Sequence, residues 1–220
     1  MPQKPPLPPL DFLLENGYQF EPMQYLSAAW TLFKQFVGGF VLFTLVVLIG
    51  LRIAEELPNW LGLIVQLILS VTWAGYFWVC FRLDSGEKPT LSDFMRGFKH
   101  WRLLAPVAIA TISPLVLALF CTLYLPLPLG LAALCLGLVL VALFMFALPM
   151  AVIYGIGLGQ AIGYSSRLAL QNIVRIGFFF LLLLGINLVA IPTIIGVPLT
   201  IPLSACAIYC AMKHIFQQTA

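Results

Sequence analysis

An all-α bundle of about six membrane-spanning helices is the fold class this sequence predicts, and three observations predict it. Of 220 residues, 62% are hydrophobic and only 9% charged, where an average soluble domain has roughly half and roughly a quarter. Such a chain cannot clothe a water-facing surface in charge, so most of its exterior faces lipid. Six stretches are uncharged and close to the ~20 residues needed to cross about 30 Å of hydrocarbon at about 1.5 Å per residue. Finally, ten of the eleven Lys and Arg residues fall on one side of the topology those stretches imply. The same composition excludes a cytosolic enzyme, a disordered chain and a disulfide-stapled secreted module. A net charge of +3 leaves no electrostatic footprint for nucleic acid.

Residues 1–22 read as a Pro-rich cytoplasmic lead-in, with residues 23–220 as a single integral membrane domain. The lead-in lacks the apolar core of a signal peptide, so the first span is expected to act as its own insertion signal. Its run at 5–9 favours polyproline II, either as an unstructured tail or as a ligand for an SH3-like groove. The first span covers 37–51 and borrows turns from 30–36; the second covers 60–81. Spans at 105–124 and 131–154 are separated by the Pro-Leu-Pro-Leu-Gly turn at 126–130, which no single helix runs through undistorted. Residues 177–212 are uncharged throughout, too long for one span, and reverse at 192–198 around Gly196. Cytoplasmic loops collect Lys and Arg. Lys4, Lys34, Arg82, Lys88, Arg96, Lys99, Arg102, Arg167, Arg175 and Lys213 share the side of both termini, leaving Arg52 opposite, so both termini are expected in the cytoplasm.

An internal repeat of about 68 residues organises these elements. Trp30, Phe33, Lys34 and Val37 reappear as Phe98, Trp101, Arg102 and Ala105, and more weakly as Arg167, Leu170, Gln171 and Val174. Three units follow, at about 23–90, 91–158 and 159–220, each an amphipathic lead-in before two spans. The second lead-in is the clearest. Thr90 and Asp93 have capping-box spacing. On a helix from there, Phe94, Phe98, Trp101 and Ala105 share one face while Asp93, Arg96, Lys99 and His100 share the other. Such a helix lies at the headgroup boundary with its cations over anionic lipid, as an anchor for the next span or as a docking surface.

Motifs for chemistry are sparse. The five cysteines fall within expected spans, so no disulfide framework is implied; Cys206 and Cys210 share a helix face, as soft-metal ligands or as small buried hydrophobes. All eight acids lie at or before Asp93, so no carboxylate stands beside a later nucleophile, and enzymatic activity, a metal set and a cofactor are not expected. Glu55 and Glu56 beside Arg52 bind a cation or form a solvated helix end. No charge sits at mid-membrane, where ion-coupled carriers place one. Gln66 and Asn187, with several Ser and Thr, line a polar path or stitch helices together. Gly155, Gly159 and Gly163 form overlapping GxxxG steps, expected to allow close helix packing.

The 81–99 run, FRLDSGEKPTLSDFMRGFK, resembles the hallmark linker of a family of uncharacterised six-span bacterial inner-membrane proteins, in which a charged Gly-Glu-x-Pro turn leads into an aromatic amphipathic helix. The 159–175 segment, with Ala161, Ser165, Ser166 and Asn172, resembles that family's second linker, and the 28–34 lead-in its opening. A looser likeness extends to the membrane domain preceding some glycerophosphodiester phosphodiesterases, without their catalytic domain. The resemblance implies architecture and a bacterial inner membrane, and supplies no catalytic residue. The expected function is a non-enzymatic scaffold or assembly partner in the lipid bilayer. Its basic linkers, around Arg96, Lys99, Trp101, Arg102, Arg167 and Arg175, would meet lipid headgroups or a membrane or cytoplasmic protein. The alternative is a transporter or channel for a neutral or amphipathic solute, with Gln66 and Asn187 on its path.

Overall fold

A computed structural model describes residues 17–193 and 196–218. The Pro-rich run at 5–9 lies outside the described residues, as do the side chains at 59, 60, 63, 64, 66 and 67. Every regular element among the described residues is a helix: α1 (Pro22–Lys34), α2 (Val37–Glu56), α3 (Asn59–Ser70), α4 (Thr72–Asp84), α5 (Leu91–Phe94), α6 (Arg96–Lys99), α7 (Trp101–Tyr124), α8 (Leu127–Phe144), α9 (Ala147–Tyr154), α10 (Leu158–Gln171), α11 (Ile173–Ala190) and α12 (Gly196–Gln217). Five are long and apolar enough to cross a membrane: α2, α7, the 28-residue α8 and α9 together, α11 and α12.

The stretch expected as the second span is divided. Helices α3 and α4, of 12 and 13 residues, meet at Val71, which keeps helical dihedrals of −69° and −23°. Thr72 at the junction donates its hydroxyl to Leu69 O, giving that carbonyl a side-chain partner where the helix is interrupted. A comparable break separates α8 from α9. There the Ser165 hydroxyl, reaching from α10, donates to Leu143 O at 2.7 Å and accepts from Phe146 N at 3.2 Å.

Each lead-in ends in the same backbone device. Phe36, His100 and Asn172 have φ of −145°, −117° and −126° with ψ of 39°, 28° and 41°. Their carbonyls already accept the first bond of the next helix, from Phe40, Leu104 and Ile176 at 3.1, 3.0 and 2.9 Å, as N-cap carbonyls do. The register pairing Lys34 with Arg102 would put the second break at Leu104; it falls at His100, one turn earlier.

Helix α12 is central. It packs on α1, α2, α4, α9 and α11, and half of its most apolar window is buried, more than in any other candidate span. Asn187 Nδ2 links α11 to it through Ser204 Oγ at 2.7 Å, and Thr44 Oγ1 links α2 to α4 through Tyr76 Oη at 2.8 Å. Helices α7 and α8 pack along each other where Gly137 leaves room; a Cβ there would come within 2.5 Å of Ala118 Cβ. The GxxxG expectation is overturned. Gly155 caps α9 in the left-handed region at φ 71°, so it does not share a helix with Gly159, and a Cβ on Gly159 or Gly163 would meet nothing within 4 Å.

A strap before α1 ties the two ends of the described chain together. Gln19 N donates to Gln218 Oε1 at 2.7 Å, and Gln218 Nε2 returns a bond to Gln19 O at 2.9 Å. Tyr18 Oη donates to Leu168 O at 2.5 Å, and Asn172 Nδ2 donates to Tyr18 O at 3.1 Å. Phe20, 1% exposed, packs edge-on against Tyr25 and Phe179.

Candidate functional site

The basic linker between α4 and α7 is built around one acid. The turn at Gly86, with φ of 75°, brings residues 87–99 back against α4. Thr90 N donates to Asp93 Oδ2 at 2.7 Å, the carboxylate half of the expected capping box. The same carboxylate pairs with Arg82, and its Oδ1 holds Arg96 Nε at 3.1 Å. Arg82 Nε also donates to Glu87 Oε2 at 2.7 Å. Burial pushes the Asp93 carboxyl up, but bonds from Thr90 and the charge of Arg82 outweigh it and hold the group below its ordinary value.

The linker is not one continuous amphipathic helix at the headgroup boundary. It breaks at Met95 and again at His100, which separates the residues expected to share a face. Phe94 is fully buried, stacked on Phe43 with centroids 4.2 Å apart and ringed by Phe36, Phe40 and Tyr76. Gly75 makes this possible, because any Cβ there would lie 2.1 Å from Phe94 O. Trp101, by contrast, is 56% exposed at the start of α7.

Arg96 and Lys99 border a groove of about 270 Å³. Its walls come from four elements: Ala74 and Trp78 of α4, the α6 turn, Leu103 and Leu104 of α7, and Ala151 and Val152 of α9. The Arg96 guanidinium lies 5.3 Å from the Trp78 ring centroid, within cation–π range. Trp78 Nε1 is buried and has no hydrogen-bond partner among the described residues. The sequence singled out the cations; Trp78, 18 residues earlier, carried no signal that it would sit beneath them.

Of the other residues named from sequence, Arg102 is exposed at the head of α7, and Arg167 and Arg175 are exposed on α10 and α11. None of the three borders this groove or forms an ion pair among the described residues. Asn187 spends its amide on Leu183 O at 2.8 Å and on Ser204 Oγ. The Gln66 side chain lies outside the described residues.

A second cluster assembles from distant parts of the chain. Lys213 Nζ pairs with Asp84 Oδ1 at 2.6 Å, and Tyr209 Oη donates to Asp84 Oδ2 at 2.9 Å. Tyr25 Oη lies 3.0 Å from His214 Nδ1. Tyr25, Asp84, Lys213 and His214, with Gln24, Gln35 and Thr31, border an open pocket of about 410 Å³ between α1 and α12. Sequence spacing missed it because its parts lie more than a hundred residues apart. Among the described residues, no three His, Cys, Asp or Glu side chains are grouped to hold a metal. Cys80 rather than Cys210 approaches Cys206, with sulfurs 3.3 Å apart in the buried α4–α12 contact.

Comparison with family models, curated proteins and solved structures gives no match for this chain.

Proposed function

We propose that this chain is a six-span protein of a bacterial inner membrane, with both termini cytoplasmic and three repeat units, acting without catalysis as a scaffold for a protein partner at the membrane surface. The observation that carries the scaffold reading is the division of labour within the linker. Asp93 and buried Phe94 fix its backbone against α2 and α4, whereas Lys99, Trp101 and Arg102 remain exposed and form no ion pair among the described residues. A rigid, positively charged ledge beside a span is suited to docking an acidic surface.

Parity supports the sixth crossing. The Gln19–Gln218 bonds place the strap beside the end of α12, and the Asp84–Lys213 pair places the end of α4 there too. Helix α2 therefore leaves that end of the bundle and residues 59–84 return to it, so those residues make the return crossing. The shared break at Phe36, His100 and Asn172 supports the three units. A polar transport path has less support, because Asn187 is committed to holding α11 on α12.

The test is crosslinking and mass spectrometry of tagged full-length protein purified from its native membrane. Wild type should yield a stoichiometric protein partner, and Lys99→Glu with Arg102→Glu, which leaves the Asp93 hub intact, should lose it while inserting normally. A partner retained by that variant, or none in the wild type, overturns the reading.

A further inference from the structure

We propose that the groove between α4, α6, α7 and α9 binds one anionic phospholipid. Its phosphate would sit at Arg96, Lys99 and the Trp78 indole N–H, and the first part of an acyl chain would lie on Leu104 and Val152. The inference rests on the membrane reading above but not on a protein partner.

Three features of the groove point to this ligand. The first is unspent donors. Buried polar groups in native proteins almost always have a partner, yet Trp78 Nε1 has none among the described residues. Arg96 gives Nε to Asp93, and its two terminal nitrogens have no partner among the described residues, leaving a planar fork suited to phosphate oxygens. The second is uncompensated charge. Asp93 is spent on Arg82 and Arg96, Glu87 on Arg82 and Asp84 on Lys213. Among the described residues no acid borders the groove, while Arg96 and Lys99 do.

The third is placement. The rim residues precede α7, and the apolar wall belongs to α7 and to α9, both parts of candidate spans, so the wall continues into hydrocarbon. At about 270 Å³ the groove is slightly smaller than the roughly 300–1,000 Å³ of sites that enclose a whole small molecule. It suits a headgroup phosphate and the head of one chain, with the remainder in the bilayer. A free phosphate would leave the apolar wall unused.

The experiment is native mass spectrometry of the full-length protein released from nanodiscs containing equal phosphatidylglycerol and phosphatidylcholine of identical chains. Wild type should retain one phosphatidylglycerol with at least tenfold preference. Trp78→Phe, which keeps an aromatic face but loses the indole N–H together with part of the bicyclic ring, should lower retention several-fold with unchanged helical circular dichroism, and Arg96→Gln should abolish the preference. Equal retention of both lipids, or a Trp78→Phe protein that retains lipid as the wild type does, overturns the proposal. Displacement of the lipid by millimolar glycerol 3-phosphate also overturns it, by identifying a phosphate site without a lipid chain. Trp78→Phe keeps every cation, so unchanged lipid retention beside an intact partner crosslink overturns the lipid site alone. Lipid retained without any partner overturns the scaffold alone.

Discussion

At the scale of single residues, Asp93 concentrates the electrostatics of the linker. It is 2% exposed and faces Arg82, Arg96 and the Thr90 amide at once. Its folded-state value lies below the ordinary carboxyl value of about 3.9. A depressed acid contributes stability that is fully present above its unfolded value and is lost as pH falls through the folded one. Thermal unfolding of the wild type should therefore be flat with respect to this group above about pH 5 and decline below pH ~4. Asp93→Asn should unfold earlier at neutral pH, by about 1–3 kcal/mol for the loss of a charged acceptor, and lose that acid-dependent decline; an unchanged acid limb in the variant would refute the assignment. Thr90 and Asp93 were legible as a capping pair because they lie only three positions apart. The pairing with Arg82, and the meeting of Asp84 with Lys213, were not, because they depend on which helices become neighbours.

At the scale of elements, glycines decide where helices approach, and spacing alone misidentifies which ones. Gly75 gives no motif, yet the carbonyl of Phe94 occupies the space its Cβ would take. Gly155, Gly159 and Gly163 give a motif, yet α9 ends at Gly155 and the other two face open space. Gly75→Ala should displace α5, cost roughly 1–3 kcal/mol as an overpacked contact, and speed tryptic cleavage after Arg96 and Lys99. Gly163→Ala, inside α10 with no neighbour to meet, should stabilise by up to about 1 kcal/mol through helix propensity. Comparing the melting curves and digestion rates of the two variants checks both. The spans at α2, α7, α11 and α12 were legible because a long uncharged stretch has few alternatives in lipid. The division of residues 59–84 at Val71, and of 127–154 at Met145 and Phe146, was not, since neither break carries proline or charge.

At the scale of the whole molecule, the proposed sixth crossing makes a topological prediction. With residues 59–84 spanning, Glu56 and Ser85 lie on opposite membrane faces. An impermeant maleimide should label Glu56→Cys in intact cells and Ser85→Cys only after permeabilisation; labelling of both from outside would mean that α3 and α4 turn back within the bilayer. The strap has a further consequence, for biosynthesis. Tyr18, Gln19 and Phe20 are translated 150 or more residues before their partners Leu168, Asn172, Phe179 and Gln218. The strap therefore stays undocked while the helices between are inserted, and its docking closes only once α10, α11 and α12 have arrived. A chain truncated before α11 would keep Phe20 without the Phe179 ring that packs on it, a mark by which proteolytic quality control could tell an unfinished molecule from a finished one.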